Sequence, residues 1–300
     1  MAAAPARAPG WLRVAPALFL LLWSGGFSFA KMGIAYTGPL TFLALRYAFV
    51  LAVLVPLFVV LRPPLPKRRA EWGHLVVVGA VIQGLYFICS YLAFEQKVAA
   101  GVVALIVSLQ PILVALLAPH FAHESVSARR WAGLGLGLLG AAIVIVARSD
   151  VHATPILGVL SAGAALIFIT VGTLYEKRFG TSQHPVTSNL VLYSVGFALT
   201  LPLAVGVEGF QVQWSIPLAV ALSYLVLCNS LVAITLLLAM IRAGEASRVS
   251  ALFFLVPPTA ALIAWGLLGE TLPAFAWAGM ALAAVGVLIA SRAPGGIKKV

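Results

Sequence analysis

Charged residues are scarce in this sequence. Only 9% of the 300 residues are Asp, Glu, Lys or Arg, and 62% are hydrophobic, whereas soluble domains carry about a quarter charged residues. This composition excludes a soluble enzyme, a disordered chain and a nucleic-acid-binding domain, because only a lipid bilayer solvates so much apolar surface. Cysteine is also scarce. Cys89 and Cys228 both lie in apolar stretches, which excludes a disulfide framework and a CxxC metal site.

Motifs of catalysis are missing as well. The sequence contains no HExxH, no GxSxG and no intramembrane pair of aspartates, so we expect neither an enzyme nor a bound metal or cofactor. The stretch GLGLLG at 135–140 fits the dinucleotide pattern GxGxxG, but no strand precedes it. We interpret it, together with Gly133, as a small-residue face for close helix packing.

Apolar runs of about 20 residues, the length that an α-helix needs to cross a bilayer, recur along the whole chain. They predict an all-α integral membrane protein with ten transmembrane helices. The polar break at 62–71 is the longest one, which leaves no room for a soluble domain. The first run is too long for the apolar region of a cleaved signal peptide. The predicted spans are 15–34, 39–61, 73–94, 98–118, 128–147, 154–175, 186–206, 214–241, 246–268 and 273–291.

The basic residues predict the orientation. With the N-terminus in the cytoplasm, fifteen of the nineteen Lys and Arg residues fall on the inner side. Lys31, Lys97 and Arg148 fall at outer ends, and Arg46 lies within a span. Such a bias is typical of proteins with both termini in the cytoplasm. It also accounts for the net charge of +11 without a nucleic-acid partner.

The second half of the chain repeats the first at a shift of 146 residues. The shift pairs Lys31 with Lys177, and it pairs seven further identical residues in the same register: Tyr47 with Tyr193, Pro56 with Pro202, Pro111 with Pro257, Glu124 with Glu270, Trp131 with Trp277, Gly133 with Gly279 and Gly140 with Gly286. Each half holds five crossings, an odd number, so the halves must insert with opposite orientations. Inverted repeats are the architecture of many secondary transporters, with the substrate site near the midplane.

This repeat divides the chain into five parts. We predict a cytoplasmic N-terminal tail at 1–14, a first five-helix repeat at 15–147 and a periplasmic linker at 148–153. A second five-helix repeat at 154–291 and a cytoplasmic C-terminal tail at 292–300 complete the chain.

Two groups of motifs carry a family resemblance. The stretch from Trp23 to Ala48 (WSGGFSFAKMGIAYTGPLTFLALRYA), and the helix blocks around Pro111 and Pro257, resemble EamA-type proteins of the drug/metabolite transporter superfamily. The resemblance covers nearly the whole chain. It implies ten helices, cytoplasmic termini and export of small metabolites, often amino acids, with a similarity to bacterial exporters of aromatic and other apolar amino acids.

Few polar residues lie near helix centres, where a midplane site needs them. Ser24 and Thr170 occupy matching positions of the repeat, and so do the amides Gln83 and Asn229. These two pairs are candidate substrate ligands. The alternative is that they hydrogen-bond between helices or, for the hydroxyls, to their own helix backbone.

Prolines at matching depth predict broken helices. Pro111 in the fourth span and Pro257 with Pro258 in the ninth interrupt the backbone ladder. Interrupted helices at corresponding positions of two halves indicate a transport site. We predict gating or hinge roles for these prolines, the alternative being passive kinks. Ser108 and Gln110, on the turn before Pro111, are further candidate ligands.

The remaining candidates are aromatic or charged. Trp23, Tyr86 and Tyr91 offer rings for an apolar side chain, although such rings also pack or face lipid. Arg46 lies about 10 Å from the outer end of its helix, at 1.5 Å per residue. It is suited to grip a substrate carboxylate. The alternative that we favour is structural, either a pair with Glu95 at the outer end of the third span or a guanidinium that snorkels to the interface.

All eight carboxylates fall at helix ends or in loops, so no central proton relay is evident. We therefore predict a secondary exporter of small organic metabolites, amino acids foremost, that works by alternating access through facilitated diffusion or exchange. The partners expected are the small-molecule substrate and membrane lipid. The alternatives are proton-coupled efflux of drugs or metabolites, and a membrane scaffold that transports nothing.

Overall fold

The protein is described as a computed structural model. The structure describes residues 14–98, 100–121, 126–148, 155–180, 183–243, 249–268 and 273–292. Most of the two predicted tails and of the predicted linker at 148–153 lies outside this part of the chain, and so do Glu124 and Glu270.

The described chain is helical throughout, and a helix lies at each predicted apolar run. We number the helices α1 to α10, treating the two pieces of α4 and of α9 as one helix each. Their bounds are α1 Ala15–Gly33, α2 Pro39–Leu61, α3 Arg69–Glu95, α4 Ala100–Val107 with Gln110–Phe121, α5 Ala128–Arg148, α6 Ile156–Phe179, α7 Pro185–Glu208, α8 Ile216–Ala243, α9 Ala251–Leu255 with Val256–Leu268, and α10 Ala274–Arg292.

Seven of these helices, within the described residues, are long and apolar enough to cross a membrane: α1, α2, α3, α6, α7, α8 and α10. Large apolar side chains on their outward faces are exposed, as expected where lipid replaces water; Val60, Leu157 and Ile216 are examples. The chain is therefore a multi-pass membrane protein. The number of ten crossings stays a prediction, because α4 and α9 are interrupted and α5 is not among the seven.

The interruptions of α4 and α9 fall where the prolines predict a break. In α4 the α-helix stops at Val107 and resumes at Gln110, one residue before Pro111. In α9 a 3₁₀ turn ends at Leu255, and the α-helix resumes at Val256, before Pro257 and Pro258. The prolines thus occupy the first turn of the resumed helices, where their missing N–H leaves no gap in the ladder.

Equivalent helices of the two halves pack against each other in opposite directions. A Cβ on Gly133 of α5 would lie 2.5 Å from the backbone N of Ala290 in α10, and a Cβ on Gly140 would lie 2.3 Å from that of Ala283. Residue numbers therefore rise along α5 in the direction in which they fall along α10, so the two helices are antiparallel. The glycines allow the two backbones to touch, as the sequence predicted for Gly133 and GLGLLG. Antiparallel directions of equivalent helices are what an inverted repeat requires.

The equivalent helices α2 and α7 also meet with opposite directions, because the last residue of α7 lies at the first turn of α2. Glu208, the last residue of α7, accepts hydrogen bonds from the backbone N–H groups of Leu40 and Thr41 in the first turn of α2, at 2.9 and 2.8 Å, and one from the Thr41 hydroxyl at 2.7 Å. A carboxylate at a helix N-terminus satisfies free N–H groups and the helix dipole. The loops beside it are joined by a bridge between Thr37 and Val212.

Candidate functional site

Two π-helical segments face the centre of the molecule, one in each half. They span Gly79–Tyr86 of α3 and Leu225–Ala233 of α8, and their first residues are 146 positions apart. The predicted amide pair, Gln83 and Asn229, lies within them. Because a π-helix bonds each N–H to the carbonyl five residues back, it widens the helix and leaves carbonyls for other donors. Such segments occur often at functional sites.

Tyrosine hydroxyls use these carbonyls in a symmetric way. Tyr47 of α2 donates a hydrogen bond to the backbone oxygen of Gln83, and Tyr193 of α7 donates one to that of Ser230 at 2.9 Å. Both tyrosines are fully buried. Each half therefore anchors its own π segment with the same residue of the repeat.

Arg46 reaches across from α2 to the π segment of the other half. Its guanidinium is completely buried and donates from Nε to the Ser230 hydroxyl at 2.8 Å, from Nη2 to the Asn229 side-chain oxygen at 2.8 Å and from Nη1 to the Tyr91 hydroxyl at 3.2 Å. It also lies 4.5 Å from the ring centroid of Phe87. This ring attracts a cation through its negative face.

The partners of Arg46 differ from those that the sequence analysis favoured. Its hydrogen bonds go to neutral groups, and Glu95, at the end of α3, is exposed and contributes none of them. The guanidinium does not snorkel to the surface either. The reason is that α2 packs against α8, so polar groups inside the molecule lie nearer to Arg46 than the interface does. Among the described residues, no carboxylate forms an ion pair with Arg46.

A small cavity lies beside Arg46. The guanidinium of Arg46 and the amide of Asn229 line it. The rings of Trp23, Tyr86, Phe87, Tyr91 and Phe94 supply most of the remaining wall, together with Gly26, Phe27, Ala30 and Leu225. Trp23 stacks on Tyr86, with 6.5 Å between ring centroids and 11° between planes. The cavity measures about 30 Å³, which is room for one or two waters. A larger solute enters only when the surrounding helices separate.

Gly26 allows α1 to lie close to α8 at the wall of the cavity. A Cβ on Gly26 would lie 2.5 Å from Nδ2 of Asn229, so a larger residue there would push α1 away from the π segment of α8. The matching glycine of the second half, Gly172 in α6, has the same relation to the π segment of α3: a Cβ there would lie 2.5 Å from a side-chain carbon of Ile82. The close approach of α1 to α8 thus has a counterpart in the approach of α6 to α3.

The structure brings only some of the predicted site residues together. Trp23, Tyr86, Arg46 and Asn229 line one cavity. Ser24 and Gln83 are fully buried, and their side-chain polar atoms have no hydrogen-bond partner among the described residues.

The other predicted ligands lie elsewhere. Gln110 donates to the Thr173 hydroxyl at 2.9 Å, and Ser108 donates to the backbone oxygen of Ala104 at 2.6 Å. Thr170 donates to the backbone oxygen of Leu166 in its own helix at 2.7 Å, which is the alternative that the sequence left open for it.

Two residues that bond Arg46 or lie under it were not singled out from the sequence as ligands. They are Ser230, which directly follows Asn229, and Phe87, which precedes Tyr91 and Phe94 by four and seven residues. That helical spacing places the three rings on one face of α3. The spacing was readable in the sequence, but nothing in it indicated that this face meets α1.

A second polar cluster lies near the C-terminal ends of α6 and α8. Glu176 of α6 is 2% exposed and accepts a hydrogen bond at 2.5 Å from Nε of Arg242 in α8. The neighbouring Tyr175 hydroxyl is 2.7 Å from Nδ1 of His74. Glu176 does lie at a helix end, as predicted, but it is buried rather than solvated. Its charge is matched by Arg242, whereas that of Arg46 is matched by no carboxylate in the described chain.

Comparison with known proteins identifies a transporter family. The model of the EamA-like transporter family matches residues 14–146 and 156–292, and these ranges coincide with the two halves. A relative from Salmonella typhimurium, named a probable amino-acid metabolite efflux pump, is 26% identical over 91% of this chain and 92% of its own length. A probable terminal-alkyne amino-acid exporter of Streptantibioticus cattleyicolor is 29% identical over 66% of each chain.

Two further comparisons bear on the fold and the class. An uncharacterized transporter of Bacillus subtilis is 25% identical over 80% of this chain and 78% of its own. A solved structure, titled only as the crystal structure of a protein, superposes with a TM-score of 0.79 over 95% of this chain and 98% of its own, at 17% identity. The family match covers most of the chain in two consecutive units. The protein belongs to the EamA-like transporter family, within the drug/metabolite transporter superfamily.

Proposed function

We propose that this protein is a secondary transporter that exports small carboxylate-bearing metabolites, most often amino acids with aromatic or apolar side chains, by alternating access. One observation carries the proposal: a completely buried guanidinium, that of Arg46, lies beside an aromatic cavity and has no carboxylate partner among the described residues. The names of the Salmonella and Streptantibioticus relatives support the substrate class.

The chemistry of Arg46 favours an anionic solute. Burying an unpaired charge in a membrane is costly, and neutral hydrogen-bond acceptors and a ring face offset only part of that cost. A carboxylate that enters the cavity supplies the missing negative charge and accepts two N–H bonds in the fork geometry of the guanidinium. The rings of Trp23 and Tyr86 would then hold the apolar remainder of the solute.

The position of Arg46 suggests how binding is coupled to motion. Arg46 belongs to the first half, and Asn229 and Ser230 belong to the second, so its hydrogen bonds link the halves. A substrate carboxylate competes with these two partners for the same N–H groups. Binding therefore weakens one contact between the halves, and the cavity expands from about 30 Å³ to hold the solute.

We propose that the substrate's own gradient drives transport, by facilitated diffusion or exchange. The cavity holds no carboxylate among its described residues, and Glu176 is already paired with Arg242. The second candidate, proton-coupled efflux, has one observation in its favour: the carboxyl group of Glu176 is buried and lies one residue from the Tyr175–His74 hydrogen bond.

We propose that the protein resides in the bacterial inner membrane with both termini in the cytoplasm. The distribution of basic residues supports this orientation. A relative from Escherichia coli, 24% identical over 91% of this chain and 89% of its own, is named an uncharacterized inner membrane transporter.

A flux assay tests the proposal. Purified protein is reconstituted into liposomes loaded with a panel of labelled amino acids, and efflux is measured with and without an imposed pH gradient. We expect efflux of aromatic and apolar amino acids that a protonophore does not abolish. Strict dependence on the pH gradient would replace facilitated diffusion by proton coupling. Flux of no compound, with Asn229→Ala changing only stability, would favour the scaffold alternative.

A further inference from the structure

The cavity wall is rich in hydrogen-bond donors: Arg46, the indole of Trp23, and the hydroxyls of Tyr86 and Tyr91, which both donate and accept. Arg46 is a donor only. Trp23 is 2% exposed, and its buried indole N–H has no acceptor among the described residues. The side-chain oxygen of Asn229, the strongest acceptor of the wall, already accepts from Arg46. A carboxylate satisfies such a set of donors, because it accepts hydrogen bonds at two oxygens and donates none.

The same wall offers little to an ammonium group. An ammonium needs acceptors, a carboxylate or a free aromatic face, and none of the described lining residues is acidic. Several rings already use one face for a neighbour: Arg46 lies 4.5 Å from the centroid of Phe87, Trp23 stacks on Tyr86, and Tyr91 stacks on Phe42 at 6.0 Å. In addition, an ammonium within the cavity is repelled by the guanidinium.

Comparison of the two halves supports this preference for a carboxylate over an ammonium group. The position that is Ala30 in the cavity wall is Glu176 in the second half, and the position that is Arg46 is Leu192 there. The first half thus has a cation and no carboxylate where the second half has a carboxylate and an aliphatic residue. The cavity is built with one net positive charge.

We infer that the site recognises the carboxylate of its substrate and not an α-ammonium group. Apolar carboxylic acids without the ammonium, such as N-acyl amino acids and 2-oxo acids, are then exported at least as fast as the corresponding amino acids. This inference rests on the proposed function, because it names the substrate class of the same site.

The test uses four compounds that share one aromatic group. Labelled L-phenylalanine, N-acetyl-L-phenylalanine, phenylpyruvate and phenethylamine are loaded separately into proteoliposomes of the full chain, and efflux from protein-free liposomes is subtracted. We expect N-acetylphenylalanine and phenylpyruvate to leave at least as fast as phenylalanine. Phenethylamine, which has the ammonium but no carboxylate, should show no protein-dependent efflux.

The outcomes separate the inference from the proposed function. Export of phenylalanine together with export of the two ammonium-free acids at less than about a tenth of its rate overturns the inference and leaves the exporter in place. Export of none of the four compounds overturns both.

A conservative variant supplies a second readout. Trp23→Phe keeps an aromatic ring and removes only the indole N–H. Loss of one hydrogen bond to a carboxylate should slow efflux of the acids about tenfold. Unchanged efflux from a variant with wild-type thermal stability would argue against a role for this donor, and with it against the donor-lined site.

Discussion

Tyr47 and Tyr193, which lie 146 residues apart in the sequence, meet inside the molecule with their ring centroids 5.5 Å apart. Each hydroxyl donates to a backbone oxygen of the π segment in its own half. The same residue of the repeat therefore lines the boundary between the halves from both sides. Arg46, the residue before Tyr47, has no such counterpart, since Leu192 occupies its place.

The tyrosine bond to the π segment can be tested by removing one hydroxyl. Tyr193→Phe leaves the buried carbonyl of Ser230 without this donor, so we expect the free energy of unfolding to fall by about 1 to 2 kcal/mol. The measurement is thermal unfolding in detergent. Tyr36→Phe is the matched control, because the Tyr36 hydroxyl forms no hydrogen bond in the described part of the chain. Equal stability of the two variants would contradict the assigned role.

The glycine contact between α5 and α10 gives a second prediction. A Cβ at Gly140 would lie 2.3 Å from the backbone N of Ala283, and backbone cannot move aside cheaply, so Gly140→Ala should cost about 1 to 3 kcal/mol of stability. Gly135→Ala, in the same helix, meets no atom within 4 Å. It should be neutral or slightly stabilising, because alanine favours helix. Similar melting temperatures for the two variants would mean that α5 and α10 are less closely packed.

The buried pair of Glu176 and Arg242 predicts a non-additive pair of substitutions. Glu176→Leu leaves the Arg242 charge without its partner and should lower the free energy of unfolding by about 2 to 3 kcal/mol. The side chain of Arg242 is 20% exposed, so we place the effect at the low end for a buried pair. The double variant with Arg242→Leu should recover most of the loss. If the two losses simply add, the pair does not stabilise the fold as a unit.

Glu208 at the start of α2 gives a prediction about local order. Glu208→Ala removes the acceptor of the Leu40 and Thr41 N–H groups and should destabilise this helix start by about 1 to 2 kcal/mol. Hydrogen exchange over residues 34–41 should become correspondingly faster. Glu95→Ala, which removes an exposed carboxylate, should leave the exchange there unchanged. The same acceleration in both variants would argue against the cap.

Much of this fold follows from the order of residues alone. Apolar runs indicate where helices form, and the breaks before Pro111 and Pro257 follow from the missing proline N–H. The constant shift of 146 residues pairs Gln83 with Asn229, and the structure places these two amides on equivalent π segments. These features depend on local chemistry or on an internal comparison, and both are visible in one sequence.

The contact partners of individual side chains were harder to predict from the sequence. Arg46 was expected to pair with Glu95 or to snorkel, because both groups belong to the outer ends of neighbouring spans. Its actual contacts with Asn229 and Ser230 come from helix α8, more than 180 residues away in the chain. Likewise, the burial of Glu176 depends on where Arg242 of α8 lies. Such contacts depend on the packing of the two halves, which periodicity does not reveal.

The central claim is that Arg46 holds the carboxylate of the transported solute, and efflux of labelled phenylalanine or phenylpyruvate from proteoliposomes tests it most directly. Arg46→Leu, which installs the residue of the second half, should lower efflux at least about a hundredfold, and Arg46→Lys, which keeps the charge without the fork, should retain a part of it. Arg62→Gln, in an exposed loop, is the control and should transport normally. The thermal stability of each variant shows that it is folded. Efflux by folded Arg46→Leu within twofold of the wild-type rate would contradict the account.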